Sequence, residues 1–341
     1  MIRQVTALTV AAALLSGCGA IGKSRPKTPV VGERVSVLST DPDVQVDAAT
    51  AALPFSIPAP AVNESWNQPG GTPSKSAGHP ALGTSLTETW NVSIGQGSTL
   101  DARLAAPPVV SGGTVYTIDT TATVRAFDAA TGGQRWAVQF GTERGNNASL
   151  FGGGVAVEGD KVFATNGLGF VAALSTANGA QLWQVRPGGP LRGAPTVAGD
   201  TLYVMSQDNQ LYSLKAADGG TNWSATAAVE IAGVFGTAAP AFERGTVVAG
   251  FSSGELNAYR FENGRLVWQD ALARTSISTS VATLSDIDAS PVIDNGQVFA
   301  LGQGGRMVAL DLISGQRQWE LNLAGIATPW IAGDWLFAVT D

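Results

Sequence analysis

The chain of 341 residues has one cysteine and one histidine. A single thiol cannot close an internal disulfide. Neither residue type is numerous enough for a Cys-rich zinc site, an iron–sulfur cluster or a His-rich metal site. Charge is also scarce: 14% of residues are charged and the formal net charge is −7. Without a basic surplus the chain lacks the electrostatic footprint of a nucleic-acid binder. Its acidic balance bears on solubility and on basic or mixed-charge partners. The N-terminal apolar run, Val5 to Leu15, has eleven residues. That is short of the roughly 20 that a membrane-spanning helix needs. Beyond the first twenty residues, no run rich in Ala, Glu, Lys and Leu recurs at helical spacing. What is plentiful is glycine, 42 residues, beside 17 prolines and 9 tryptophans. That mixture predicts many short strands joined by tight turns.

Residues 1–17 read as a signal peptide: Arg3, the apolar run, then the small residues before Cys18. Leu15-Ser16-Gly17-Cys18 resembles the bacterial lipobox, and the resemblance implies cleavage before Cys18 and acylation of that residue. An ordinary signal peptide followed by an incidental Cys is the alternative. Gly19, where some lipoproteins carry Asp, favours outer-membrane sorting by resemblance to the enterobacterial rule. Multiple acyl chains, at about 0.8 kcal/mol per buried methylene, would anchor the protein firmly. Between Pro26 and Pro80 lie nine of the 17 prolines. Residues 18–83 are therefore expected to form an extended tether without a compact core, with one short strand at Val35 to Leu38. His79, beside Pro80, has no nucleophile partner in a recognisable motif and is expected to be structural or solvent-exposed.

The rest of the chain is organised by an internal repeat. Trp90, Trp136, Trp183, Trp223, Trp268 and Trp319 are spaced by 46, 47, 40, 45 and 51 residues. In the last five copies a glycine falls four positions before Trp: Gly132, Gly179, Gly219, Gly264 and Gly315. Each is preceded by Thr131, Asn178, Asp218, Asn263 or Ser314. A small polar residue before Gly is a turn with a mechanism, since the side chain bonds nearby backbone and Gly accepts positive φ. One copy reads in full as four strands, at 194–198, 201–206, 210–216 and 222–227. Four antiparallel strands repeated every 40 to 50 residues predict an all-β fold, a β-propeller of four-stranded blades spanning 84–341. A blade is apolar on both faces and buries them only by stacking on its neighbours, with the recurring Trp packed between blades.

Five copies are complete. Trp90 belongs to a copy without its earlier strands, and Thr328 to Asp341 holds only the first two strands of another. Because an open ring leaves unpaired edges, the expectation is a C-terminally truncated chain whose complete ring has eight blades.

The turn-plus-Trp pattern resembles the pyrroloquinoline-quinone (PQQ) type propeller repeat. Ala126, Asp128, Thr131, Gly132 and Trp136 match A-x-D-x-x-T-G-x-x-x-W throughout, and Ala309, Asp311, Gly315 and Trp319 match with Ser314 for Thr. Two classes use this propeller. Quinoprotein dehydrogenases hold PQQ and Ca²⁺ in the central channel, and their alcohol-oxidising members typically carry a vicinal Cys pair, which a single Cys forbids. No channel cluster of carboxylate, amide and Arg groups for Ca²⁺ and an ionised quinone is legible. The expectation is no enzyme activity, no cofactor and no metal site.

The second class is the BamB family of outer-membrane lipoproteins, and the lipobox, tether and propeller are similar to it. Leu284-Ser285-Asp286-Ile287-Asp288 resembles the family's Leu-Ser-Asp-x-Asp loop, which implies that Asp286 and Asp288 belong to a surface contacting BamA. The family's Leu-x-Leu-Arg-Gly loop aligns with Ala232-Gly233-Val234-Phe235-Gly236. There the Arg is absent, so Val234 and Phe235 are expected to supply an apolar contact instead. A solvated loop whose carboxylates bond their own backbone, or a Ca²⁺ site from the D-x-D spacing, are the other readings of the two Asp residues. The resemblance implies a periplasm-facing, lipid-anchored outer-membrane scaffold of β-barrel assembly. Its implied partners are the POTRA domains of BamA, the other BAM lipoproteins and unfolded outer-membrane proteins. A quinoprotein-like dehydrogenase and a general periplasmic adaptor are the alternatives.

Overall fold

A computed structural model describes residues 51–143, 151–229, 236–272 and 286–340. The chain divides into two units, Met1–Phe55 and Ser56–Asp341. The signal sequence, Cys18, Val35 to Leu38, Val234 and Phe235 lie outside the described residues.

The second unit is built of antiparallel meanders. The first comprises β1 (Val109–Ser111), β2 (Thr114–Ile118), β3 (Thr123–Asp128) and β4 (Gln134–Gln139). The next comprises β5 (Gly153–Glu158), β6 (Lys161–Asn166), β7 (Val171–Ser175) and β8 (Gln181–Val185). It is followed by β9 (Thr196–Ala198), β10 (Thr201–Met205), β11 (Gln210–Lys215) and β12 (Thr221–Thr226). The fourth holds β13 (Ala241–Glu243), β14 (Thr246–Gly250), β15 (Glu255–Arg260) and β16 (Leu266–Ala271). The fifth holds β17 (Val292–Asp294), β18 (Gln297–Gly302), β19 (Arg306–Asp311) and β20 (Arg317–Leu321). A two-stranded sheet, β21 (Trp330–Ala332) and β22 (Trp335–Phe337), completes the series. The all-β propeller expectation and the strand limits read from the third copy hold to within one or two residues.

Local chemistry sets each blade. Pro108, Pro195, Pro240, Pro291 and Pro329 stand just before an inner strand, and a proline keeps its predecessor extended. Arg244-Gly245 and Asn295-Gly296 turn the first hairpin of their blades with φ of 47° and 79°, and 48° and 77°. Positive φ at both central residues matches the right-handed twist of the flanking strands. On the fourth strand each Trp stands opposite a small residue: Ala126, Ala173, Ser213, Ala258 or Ala309. The register shifts directly after that pair in all five blades. The bulge re-aims the outer strand at the indole.

The apolar core lies in the seams between blades. Val109, Tyr116, Val124 and Trp136 of the first blade pack with Val155, Val162 and Leu174 of the second. Tyr203, Met205, Leu211 and Trp223 of the third pack with Val247, Ala249 and Tyr259 of the fourth. The repeat's Trp and Gly meet across each seam. The indole Nε1 of Trp136 donates to Thr176 O at 2.9 Å, and that of Trp268 to Leu312 O at 2.8 Å. A Cβ on Gly179 would lie 2.6 Å from the Trp136 ring, and one on Gly315 would lie 2.5 Å from that of Trp268. Gly179 and Gly315 also have φ of 72° and 70°. Only glycine fits under the preceding blade's tryptophan.

Trp90 follows the same rule from outside any strand. Its Nε1 donates to Ala129 O at 3.0 Å and its ring covers Gly132. The expectation of a strand at Trp90 is thus corrected: what the sequence repeats there is the seam contact, not the ladder.

The tether expected over 18–83 is corrected as well, for its part from Ser56 on; residues 18–50 lie outside the described residues. From Ser56 onward the chain belongs to the propeller unit. Trp66 pairs with Val110 as an isolated antiparallel bridge, and Gln68 and Lys75 are buried. The prolines prevent the segment from building its own core, but they do not prevent it from filling one. His79 is structural, with Nδ1 at 2.7 Å from Pro58 O.

Candidate functional site

The two loops singled out by resemblance come together. The connection before β9 carries Arg192, the connection before β13 carries Gly236, and the connection before β17 carries Asp286 and Asp288. Arg192 is 2% exposed, Asp286 0% and Asp288 8%. Arg192 Nη2 donates to Asp288 Oδ1 at 3.1 Å and to Ile287 O at 3.4 Å, and Nε reaches Gly236 O at 3.5 Å. One guanidinium therefore ties three inter-blade connections.

The approach is tight. A Cβ at Gly236 would fall 1.7 Å from Asp288 Oδ1 and 2.4 Å from Arg192 Nη2. A Cβ at Gly193 would fall 2.2 Å from Thr237 O. Hydroxyls stitch the same connections to their neighbours. Thr165 Oγ1 donates to Gly193 O at 2.9 Å, Thr196 Oγ1 donates to Pro240 O at 2.6 Å, and Ala239 N donates to Ser290 Oγ at 3.0 Å. Ser290 N in turn donates to Thr328 Oγ1 at 3.1 Å.

The electrostatics follow from burial. Desolvation pushes the Asp288 carboxyl up to about 6, with Arg192 opposing and Asp286 adding to the rise. Burial pushes the Arg192 guanidinium down, and Asp288 and Asp286 oppose that shift. Asp288 Oδ2 and Arg192 Nη1 are buried without a hydrogen-bond partner among the described residues. A buried pair of this kind contributes little net stability, but it costs several kcal/mol to break from one side.

One alternative reading is corrected by this geometry. Asp286 and Asp288 are not solvated carboxylates, since both are buried beside Arg192 rather than turned to water. The missing positive charge of the 232–236 loop has a counterpart that the sequence reading passed over: Arg192, in Leu191-Arg192-Gly193. That tripeptide repeats the end of the Leu-x-Leu-Arg-Gly pattern one blade earlier, and it was the available signal. Among the described residues no group of three or more His, Cys, Asp or Glu side chains could hold a metal ion. No described helix is long and apolar enough to cross a membrane.

Comparisons with known proteins agree with the repeat. Residues 120–341 match the family model described as outer membrane protein assembly factor BamB. The BamB of Yersinia pestis is 29% identical over 71% of this chain and 62% of its own length. The chain thus spans less than two thirds of that relative. The crystal structure of BamB from Moraxella catarrhalis superposes with a TM-score of 0.60 at 20% identity, covering 71% of each chain. The quinohemoprotein alcohol dehydrogenase from Comamonas testosteroni gives a TM-score of 0.63 at 16% identity, over 78% of this chain and 50% of that one. Both structural likenesses speak to the fold alone. With the family model covering the seams and the clasp, the chain belongs to the BamB family of outer membrane protein assembly factors.

Proposed function

We propose that the chain is a non-catalytic scaffold for the assembly of outer-membrane β-barrel proteins. Lipids on Cys18 hold it at the periplasmic face of the outer membrane. The rim formed by the connections before β13 and β17 docks the POTRA domains of BamA, beside the other BAM lipoproteins, and unfolded barrel proteins are the cargo. The observation that carries this reading is the clasp, within a chain of the BamB family: Arg192 joins the connection bearing Gly236 to the one bearing Asp288. In this reading Asp286 and Asp288 act by holding their loop, while Val234 and Phe235 supply the apolar contact.

A quinoprotein-like enzyme is the second reading, favoured only by the dehydrogenase-like fold. Reconstitution with PQQ and Ca²⁺, assayed with a dye acceptor and alcohols, tests it, and turnover overturns the scaffold. The scaffold is tested by capture of the tagged chain from detergent-solubilised envelopes at native expression. BamA is expected to co-purify. Val234→Ala with Phe235→Ala is expected to reduce recovery about tenfold while thermal unfolding stays unchanged. Absence of BamA from the wild-type eluate rejects the function, and undiminished recovery with the double variant rejects the rim.

A further inference from the structure

An inner strand has a free edge, and its outward-facing N–H and C=O groups must find partners. In this propeller the next-to-last residue of every full blade's inner strand finds one on a single short segment. Trp66 N donates to Val110 O at 2.7 Å, and Val110 N returns the bond to Trp66 O at 2.9 Å. Val157 N donates to Asn67 O at 2.7 Å. At β9 a side chain takes the place of backbone: Gln68 Nε2 donates to Val197 O at 3.1 Å, and Oε1 accepts from Val197 N at 3.2 Å. Phe242 N donates to Pro73 O, and Ile293 N to Ser74 O, both at 2.8 Å. At β21 the Trp330 indole donates to Gly78 O at 2.8 Å and stacks on Trp66, with centroids 6.1 Å apart and planes 3° from parallel. The segment meets the blades in chain order, so it travels round the inner ring.

We propose that this inner ring is a binding site for a turn-forming, proline- and glycine-rich peptide, which the chain fills with its own residues 66–78. One residue of each inner strand is bonded, and its partners are backbone groups and one side-chain amide of the segment. This is recognition of unpaired main-chain groups on strand edges, one blade at a time. The composition suits the task. Pro69 and Pro73 need no acceptor for a backbone N–H, and Gly70 and Gly71 turn the segment with φ of 81° and 79°. One consequence follows. Trp66 joins the first blade to the two-stranded sheet, since it pairs with Val110 and stacks on Trp330.

The test uses the full chain with a specific protease site inserted after Ser85, within the exposed stretch 81–89. After cleavage, the N-terminal fragment is expected to co-elute with the propeller in native gel filtration and to separate only on denaturation. Gln68→Ala is expected to shorten its retention about tenfold, the loss of roughly 1.4 kcal/mol of binding. Asn67→Ala serves as the control, because the ring uses only the backbone carbonyl of that residue, and its retention should match wild type. Thermal unfolding of the uncut variants confirms that each is folded. Immediate loss of the wild-type fragment overturns the proposal. So does retention that ignores Gln68→Ala, which would place the hold outside the ring.

Discussion

The seams between blades and the contacts near the axis are held by opposite strategies. A seam is made five times from the same two parts, a tryptophan and the glycine it covers. The clasp at Arg192 and the segment 66–78 are each made once, from residues with no counterpart in other blades. The seam is apolar, with one indole hydrogen bond. The clasp is ionic and buried, and the segment depends on backbone bonds and one amide. Repetition spreads stability over many equivalent contacts, whereas a single contact concentrates it on one residue. The two therefore differ in what a single substitution removes.

The largest effect is expected within the seams. Trp268 is 8% exposed and lies on Gly315 of the next blade, whereas Trp319 is 36% exposed. Trp268→Ala should destabilise by about 3–5 kcal/mol, the usual cost of emptying a tryptophan site in a core. Trp319→Ala should cost about 1 kcal/mol or less, because a partly exposed side chain gives up less buried area. Chemical denaturation of the two variants checks this. Equal losses would show that the Trp works within its own blade and not across the seam.

The contrast also explains what the sequence made legible. The spacing of Trp136 to Trp319 and the glycines four positions earlier carried the blades, because a contact made five times leaves five marks. Asp128 shows how far one copy can be read. Its Oδ1 accepts from Ala130 N, Thr131 N and Thr131 Oγ1, as the Thr-Gly turn implied. The pairing of Gln68 with Val197 spans 129 positions and occurs once, so no periodicity could announce it. Residues 56–80 looked like a tether because proline-rich composition reports the lack of a private core. It says nothing of a channel built by other strands. The site was half legible: the resemblance located Asp288 and Gly236, while their link, Arg192, stands in a loop that neither motif included.

Breaking the clasp from one side is the next test. Arg192→Met leaves Asp288 buried without its cation and should cost about 3 kcal/mol. Arg192→Met with Asp288→Asn removes both charges and should recover at least half of that loss. A double-mutant cycle by denaturation measures the coupling. Additive effects would mean that the pair is not coupled, and the two loops would then be joined only through backbone and hydroxyl contacts.

The smallest effects separate the clasp from the segment by pH. Asp288 is raised from 3.8 to about 6 by burial, so between those values the folded chain holds a proton that the unfolded chain has released. Stability from this group therefore falls as pH rises from about 4 to 6, and it is flat beyond. Lys75 behaves in the opposite sense at higher pH. It is 3% exposed, its Nζ donates to Gln68 Oε1 at 3.4 Å, and burial lowers it from 10.5 to about 7. Above pH 7 the unfolded chain keeps the proton that the folded chain lacks, so stability rises with pH by at most about 1.4 kcal/mol per unit. Measured unfolding should thus rise by about 2 kcal/mol between pH 7.5 and 9. Lys75→Met should flatten that window and leave the fall between pH 4 and 6 in place, whereas Asp288→Asn should do the reverse. If Lys75→Met leaves the upper slope unchanged, the lysine is charged in the folded chain. The segment would then hold a buried cation as the clasp does, and the contrast between backbone-held and ion-held contacts would fail.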